Sequence, residues 1–284
     1  MLNTLPKKIS RAQSEFLYQI ELIKHAKKLP TLTPKEQLIA DALHRDGVYV
    51  TSLEDLGLAS TPQLLDAAKS QVRNLEAEFS VDYSSENYAG TVENPIYPQT
   101  LTLTYQSEFA TWGREQRLLN IIENYIALPV AFQGVQLQRD FANEKSVFTE
   151  LWHSDAEDRR MIKVIVYLND ITEEEGPFQC IPKSKVSPSL TRQIQSKITK
   201  ATELGINDTE MDQLIPRSEW KSCTGSAGTV VFVDPKAVFH HGKTRLRERA
   251  ALFFVYTSVN PLNPDFCAVY NDNSFIKAEF ARPC

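Results

Sequence analysis

The spacing of apolar residues changes near residue 131. Before it, apolar side chains recur three or four positions apart, as in amphipathic helices; after it, short β-rich runs alternate with turn residues. The elements predicted in the first part are helices over about residues 9–28, 34–44, 61–75 and 109–126, strands over 48–50 and 101–104, and a loop over 82–98. Those predicted in the second part are strands over 132–141, 147–153, 161–168, 178–181, 229–233 and 250–259, with a helical insertion over about 188–214.

Two of the predicted helices have clear starting signals. Thr33-Pro34-Lys35-Glu36 combines a capping residue, proline at the first helical position and glutamate three positions after the cap. Thr61-Pro62 starts another helix by the same chemistry, and Asp46-Gly47 is a turn signal that ends the earlier one.

Short strands separated by turns favour an all-β sandwich or barrel in the second part. We therefore predict an α+β fold with a mainly β core, against one side of which the helices pack. Residues 1–284 are expected to form a single domain, with a mostly helical part at 1–80 and the β core at 131–260.

Composition removes several classes of function. The 31 basic and 36 acidic side chains give a net charge of −5, which argues against a nucleic-acid partner. No continuous apolar stretch approaches the length of a membrane span, and no apolar run of signal-peptide type follows the first basic residues. The four cysteines are scattered and lack CxxC spacing, so reduced thiols and a cytoplasmic location are expected.

Candidate chemistry first arises in Trp152-His153-Ser154-Asp155. His153 and Asp155 lie two positions apart after a predicted strand, and in a continuing strand such residues share a face. An imidazole and a carboxylate suit iron(II) if a second histidine comes from elsewhere. The pair alone is also compatible with a structural hydrogen bond on a barrel rim, because His-x-Asp spacing often arises by chance.

A source for the second histidine follows the predicted strand 229–233. Residues 239–242 read Phe-His-His-Gly, and the next strand opens with Arg249. Because guanidinium groups pair bidentately with carboxylates, Arg249 is a candidate for binding a dicarboxylic co-substrate beside a metal. The alternative is a surface arginine that merely opens a strand.

The sequence resembles the phytanoyl-CoA dioxygenase-like family of iron(II)/2-oxoglutarate-dependent oxygenases in several blocks of residues and in their order along the chain. The blocks are Asp46-Gly47, WHSD at 152–155, VIVYLNDITEEEGPFQCIPKSK at 164–185, GTVVFVDPKAVFHHG at 228–242 and RAALFFVY at 249–256. They extend over most of residues 40–260. The resemblance implies a double-stranded β-helix (a cupin-like jelly roll), with Fe(II), 2-oxoglutarate and O₂ as cofactor and co-substrates.

Iron ligands are implied by the same resemblance. Carried over position by position, it makes His153, Asp155 and His240 the three ligands. His240 is preferred to His241 because the family pattern is histidine, any residue, glycine, and the glycine here is Gly242. Only one histidine of the doublet should point inward, since side chains alternate along a strand.

For the co-substrate, the resemblance implies that Arg249 binds the far carboxylate of 2-oxoglutarate, with Gln138 as a weaker candidate for a second contact. The sequence departs from the family at two places. A usual Pro-Gly-Ser-His turn reads Pro-Lys-Ser-Lys at 182–185, and position 251 is Ala, where relatives often carry a hydroxyl that helps hold the carboxylate. Halogenating relatives lack the ligand aspartate, so the presence of Asp155 favours hydroxylation or a related oxidation.

Together these features predict an iron(II)/2-oxoglutarate-dependent dioxygenase that oxidises, most simply by hydroxylation, a C–H bond of a small organic molecule such as a natural-product intermediate. The chain lacks an obvious basic cluster for the phosphates of coenzyme A, which favours a free small molecule as substrate. A cupin-like metal-binding isomerase, or a ligand-binding module without 2-oxoglutarate chemistry, is the alternative. Such a protein would not need Arg249 as a carboxylate anchor.

Overall fold

A computed structural model describes residues 5–84, 89–144, 150–201 and 205–271. The elements up to residue 126 are α1 (Leu5–His25), α2 (Pro34–Asp46), β1 (Val48–Ser52), α3 (Leu53–Leu56), α4 (Thr61–Glu78), β2 (Gln99–Thr102), α5 (Ser107–Gly113) and α6 (Gln116–Ile126). Those that follow are β3 (Val130–Asp140), β4 (Ile162–Tyr167), β5 (Phe178–Ile181), α7 (Pro188–Lys200), α8 (Asp208–Asp212), β6 (Lys221–Cys223), β7 (Thr229–Val233), β8 (Phe239–Gly242), β9 (Arg249–Ser258) and α9 (Pro264–Cys267).

The predicted start and end of α2 are confirmed at atomic detail. The Thr33 hydroxyl accepts a hydrogen bond from the Glu36 backbone N–H at 3.3 Å, and the Glu36 carboxylate accepts one from the Thr33 N–H at 2.8 Å. These reciprocal bonds satisfy two donors that the helix itself leaves free. The helix ends at Gly47, whose φ of 76° lies in the left-handed region that glycine enters without steric cost.

The prediction of one continuous helix over 109–126 is wrong, because the structure has two helices there, α5 and α6. Glu115 between them has an extended ψ of 127°. The Tyr256 hydroxyl donates to the Gly113 carbonyl at 2.8 Å, an acceptor that a continuous helix would use itself. A contact from a distant strand thus replaces a local helical bond.

Three other predictions differ from the structure. Of the strand predicted over 147–153, residues 147–149 lie outside the described residues, and only residues 152 and 153 form bridges, each of them isolated. The insertion at 188–214 contains two helices, α7 and α8, with residues 202–204 outside the described ranges. Four short elements, α3, β6, β8 and α9, were not predicted, since elements of three or four residues carry too little pattern to detect.

Nine strands of the described chain form two antiparallel sheets. The larger has the order β1-β7-β4-β9-β3-β2 and the smaller the order β6-β5-β8. In the larger sheet β9 pairs with both β3 and β4, so that Ala251 lies between Gln138 and Tyr167. The end of the β3–β9 ladder pairs Asp140 with Arg249.

The two faces of the larger sheet bury different partners. Outer-face residues pack with apolar side chains of α2 to α6; they include Leu137, Val164, Val166, Val230, Phe232, Leu252 and Phe254. Inner-face residues pack against Phe178, Cys180 and Cys223 of the smaller sheet; they include Val48, Ile165, Tyr167, Val231, Val233 and Ala251. The predicted jelly roll with helices against one side is confirmed, and its interior lies between the sheets.

Within the described ranges no helix combines the length and apolar character needed to cross a membrane. The cysteines in those ranges, Cys180, Cys223 and Cys267, are free thiols, as predicted, and all three are buried. Cys284 lies outside the described residues.

Replacing Phe232 by alanine should test the packing between the sheet and the helices. Phe232 is fully buried on the outer face of β7, so Phe232→Ala should lower the free energy of unfolding by about 3–5 kcal/mol through lost burial and a residual cavity. Leu38→Ala is the control, because Leu38 is 61% exposed on α2 and its change should stay within about 0.5 kcal/mol. Urea unfolding measures both, and equal effects would contradict this packing.

Candidate metal centre and carboxylate anchor

Backbone pairing brings the predicted metal ligands together. The His153 N–H donates to the His240 carbonyl at 3.0 Å, and the His240 N–H donates to the His153 carbonyl at 2.9 Å. Trp152 forms a similar two-bond bridge with Ile206 of the insertion, and the Asp155 N–H donates to Pro235 at 3.0 Å. The segment 152–155 is therefore held on both sides although it belongs to no regular strand.

His153, Asp155 and His240 converge on one point in the interior. Asp155 Oδ1 lies 3.6 Å from His153 Nε2 and 3.6 Å from His240 Nε2, and the three candidate ligand atoms lie within 4.8 Å of one another. Because metal–ligand bonds are about 2 Å long, atoms at these separations suit one ion with small adjustments. Two nitrogens and one oxygen on one side of the ion form the facial set typical of non-haem iron(II).

Each histidine presents the nitrogen that a metal needs. His153 Nδ1 donates to the Leu151 carbonyl at 2.7 Å, and His240 Nδ1 lies 3.4 Å from the Val238 carbonyl. Such bonds place the ring proton on Nδ1 and leave the Nε2 lone pair free for coordination. The phenyl ring of Phe178 stacks on His240, with centroids 5.3 Å apart, and helps to fix that ring.

The protonation states also fit a metal. Burial lowers the pKa of His240 to about 3, which keeps the imidazole neutral at neutral pH. Burial by itself raises the pKa of Asp155, but the opposing interactions, of which that with the Lys163 ammonium is the largest, outweigh it and hold the pKa well below its usual range. A neutral imidazole and a carboxylate are the forms that bind metal ions.

His241 faces away from this cluster. Its Nδ1 lies 2.9 Å from the Glu150 carbonyl and its Nε2 lies 2.9 Å from Gln179 Oε1, so both nitrogens are engaged. The ring stacks on Trp152 with centroids 4.0 Å apart. His240, the histidine that the sequence analysis preferred, is the one that lies with His153 and Asp155.

Arg249 is buried at the start of β9, where Asp140 is its cross-strand neighbour. Its Nε and Nη2 donate to Asp140 Oδ2 at 3.0 and 2.8 Å, and its Nη1 donates to the Gly176 carbonyl at 2.8 Å. Three of its five N–H groups are thus used, and one remains on each terminal nitrogen. The alternative of a surface arginine is wrong, since only 4% of Arg249 is exposed.

Space for a carboxylate at Arg249 depends on Gly242. A Cβ atom at this position would lie 3.2 Å from Arg249 Nη2 and 3.5 Å from its Nη1. The φ angle of Gly242 is not in the left-handed region, so the backbone does not require glycine there. The missing side chain instead leaves the two terminal nitrogens of Arg249 open to the cavity, as a bidentate carboxylate partner needs.

A buried charge cluster supports this anchor. Arg245 Nη1 lies 3.0 Å from Asp140 Oδ2, and its Nη2 lies 3.0 Å from Glu150 Oε1. The Gln138 amide donates to Asp140 Oδ1 at 2.7 Å, so Gln138 reaches the anchor through Asp140, and its direct contact with a co-substrate stays a prediction. Two arginines and two carboxylates balance one another, which makes their burial tolerable.

Lys163 is the remaining charge in the cavity. It lies on the inner face of β4, and its Nζ donates to Asp155 Oδ2 at 2.5 Å. Burial by itself lowers the pKa of Lys163, but the Asp155 carboxylate outweighs it and raises the pKa above its ordinary value. Lys163 is therefore an ammonium paired with a candidate metal ligand.

The histidines, Lys163 and Arg249 open into one cavity of about 210 Å³. Its lining residues are Gln136, Gln138, His153, Lys163, Ile165, Phe178, His240, Gly242, Arg249, Phe253, Val269 and Tyr270. Asp158, Arg159 and Arg160, which follow the ligand pair in sequence, are absent from this lining. Asp158 instead accepts hydrogen bonds from Ser258, and Arg159 pairs with Glu15 of α1.

Sequence reasoning missed Lys163, Asp140 and Arg245. A lysine within the apolar run 161–168 is unusual and indicates a buried pair, so Lys163 had a detectable signal. Arg245 belongs to the short basic run 243–249, where burial cannot be read from the letters: Arg245 is 4% exposed and its neighbour Leu246 is 58% exposed.

The chain is similar to known proteins in both sequence and fold. The model of the phytanoyl-CoA dioxygenase (PhyH) family matches residues 43–245. Among proteins of curated function, no sequence matches the chain.

Several solved structures share the fold of this chain. HygX from Streptomyces hygroscopicus, with nickel and 2-oxoglutarate bound, has a TM-score of 0.52 and 15% identity over 81% of this chain and 88% of HygX. EctD from S. alaskensis with bound Fe has a TM-score of 0.51 and 22% identity over 79% of this chain and 78% of EctD. SnoN, a non-heme alpha ketoglutarate dependent epimerase from nogalamycin biosynthesis, has a TM-score of 0.52 and 15% identity over 87% of this chain and 92% of SnoN. At these identities the similarity establishes the fold alone.

Alanine substitutions at His240 and His241 should distinguish the roles of the two rings. We expect His240→Ala to lower the affinity for Fe(II) by more than about 100-fold, because one of three ligands is lost. His241→Ala is the matched control and should keep the affinity within about threefold, with a loss of stability of about 2 kcal/mol from its buried hydrogen bonds. Anaerobic Fe(II) titration of folded protein measures both, and the reverse order of affinities would overturn the choice of His240.

Proposed function

The chain belongs to the phytanoyl-CoA dioxygenase family, and we propose that it hydroxylates a C–H bond of a small organic molecule with decarboxylation of 2-oxoglutarate to succinate. It is an iron(II)- and 2-oxoglutarate-dependent dioxygenase, with O₂ as the second co-substrate.

Iron(II) would be held by His153, Asp155 and His240. This proposal is supported by the convergence of their ligand atoms, by the free Nε2 lone pairs and by the low pKa values of Asp155 and His240. When bound, the iron with 2-oxoglutarate and O₂ supplies the oxidant that attacks the C–H bond. The protein has to position the substrate and keep water from the centre.

The distal carboxylate of 2-oxoglutarate would be bound by Arg249. This assignment is carried by one observation: the two terminal nitrogens of Arg249 each keep a free N–H beside the gap at Gly242, in the same cavity as the histidines. Asp140 and Gly176 hold the guanidinium, so its orientation is set before the co-substrate arrives. At position 251 the chain has Ala instead of the hydroxyl of relatives, and Asp140 provides the support from the neighbouring strand.

The substrate would occupy the part of the cavity formed by the segment after β9. Val269 and Tyr270 line it there, together with Phe253 and Ile165 of the larger sheet. The Tyr270 hydroxyl donates to Glu157 at 2.6 Å, which fixes this aromatic ring against the cavity. An apolar wall with few polar groups suits a small organic molecule, and a natural-product intermediate is our proposed class, as with SnoN in nogalamycin biosynthesis.

The alternative of a cupin-like isomerase or ligand-binding module has less support. Such a protein would have no use for a buried arginine whose free N–H groups face the metal cavity. We also propose that residues 1–284 act as one domain, since one apolar cluster joins α2 to α6 with the larger sheet. A cytoplasmic location is proposed from the three free, buried cysteines of the described chain.

Arg249 gives the first test of the co-substrate. Anaerobic titration of wild-type protein with Fe(II) and 2-oxoglutarate should produce the visible charge-transfer band of the chelate. In Arg249→Ala the affinity for 2-oxoglutarate should fall about 10- to 100-fold, because a charge-assisted bidentate pair is lost. Arg247→Ala is the control, since Arg247 pairs with Glu174 at the surface and should leave the titration unchanged. Bound iron without any band in the wild type would favour the cupin-like alternative.

Gly242 gives an independent test of the carboxylate site. Gly242→Val should raise the KM for 2-oxoglutarate by about tenfold or more, because the added methyl groups fill the gap before Arg249. Fe(II) affinity should stay within about threefold, since Gly242 does not contact the ligand atoms. Succinate formation at varied 2-oxoglutarate measures KM, and an unchanged KM would place the carboxylate elsewhere.

A further inference from the structure

The carboxylate of Asp155 has two oxygens with different neighbours. Oδ1 lies 3.6 Å from each histidine Nε2, so it is the oxygen that faces the metal position. Oδ2 accepts a hydrogen bond from Lys163 Nζ at 2.5 Å. We propose that Lys163 is a positioning residue that holds Oδ2 away from the iron and restricts Asp155 to coordination through Oδ1 alone.

Lys163 is well fixed for this role. It lies on the inner face of β4, in register with Val255 of β9 and Val233 of β7. Only 20% of its side chain is exposed, and its ammonium lies 5.8 Å from the centroid of the Tyr270 ring. Because the ion pair with Asp155 is largely removed from water, breaking it would leave a buried charge without its partner.

The consequence concerns the number of open positions on the iron. Under the proposed function, the two histidines and Asp155 Oδ1 would take three of the six positions of an octahedral iron. The keto and carboxylate oxygens of 2-oxoglutarate would take two more, which would leave one for O₂. If Asp155 coordinated through both oxygens, that last position would be filled. By holding Oδ2, Lys163 would therefore keep the O₂ position open.

This role of Lys163 rests on the proposed function. The experiment distinguishes a failure of the role from a failure of the function. Protein loaded anaerobically with Fe(II) and 2-oxoglutarate is titrated with nitric oxide, a stable analogue of O₂, and the iron–nitrosyl signal is followed by electron paramagnetic resonance. Failure of the wild type to form the chelate band would count against the proposed function. A difference in nitric oxide affinity between wild type and variant addresses Lys163.

The variants distinguish the effect of the Lys163 ammonium group from an effect on folding. Lys163→Met keeps the length of the side chain and removes the donor, and we expect the chelate band to remain while nitric oxide binds about tenfold more weakly or worse. Lys163→Arg keeps a charged donor and should restore most of that affinity. Lys35→Met is the control, because Lys35 forms a 3.0 Å ion pair with Asp55 at the surface.

Unchanged nitric oxide affinity in Lys163→Met would overturn the proposal. If that variant does not fold, a crystal structure of the wild type with Fe(II) and 2-oxoglutarate decides the question. Lys163 still bonded to Oδ2, with Oδ1 alone on the iron, would support the role. Both Asp155 oxygens on the iron would refute it.

Discussion

The pair of backbone hydrogen bonds between His153 and His240 is the constraint on which the candidate site depends. These residues are far apart in sequence, and 152–155 has no regular strand to hold it. The bridge sets the separation of the two imidazoles, and it lies beside the Trp152–Ile206 bridge that ties the same segment to the helical insertion. Precise ligand geometry thus comes from main-chain bonds, which do not depend on the flexibility of long side chains.

Pairing of buried charges is the second organising feature. Arg245 and Arg249 balance Asp140 and Glu150 at one end of the cavity, while Lys163 balances Asp155 at the other. An unpaired charge in this interior would shift its pKa or destabilise the fold. Each pair also orients one functional group: Asp140 directs the fork of Arg249, and Lys163 directs the carboxylate of Asp155.

The strand register places these two groups of paired charges at different positions along the larger sheet. Asp140 and Arg249 are paired at one end of the β3–β9 ladder, and Lys163 lies six residues along β9 in the same sheet, opposite Val255. At a rise of about 3.3 Å per residue these rows are some 20 Å apart, and the side chains of Arg249 and Lys163 line the same cavity between the sheets. His153, His240, Arg249 and Tyr270 line that cavity together, an arrangement suited to a co-substrate at Arg249 and a substrate near Tyr270.

The sequence by itself determined the local elements and the chemical types at the site. The capping box at Thr33 and Glu36 needs only neighbouring residues, and the order of WHSD, FHHG and Arg249 carries the family pattern in the letters themselves. Only the tertiary structure decided which histidine of the doublet faces inward, because that depends on the register of β8 against β5. It also decided that Arg249 pairs with Asp140 and that the missing side chain of Gly242 leaves space beside Arg249. The ion pair between Lys163 and Asp155 is likewise a product of the tertiary structure. Contacts between residues distant in the chain produce these features, and no local periodicity encodes them.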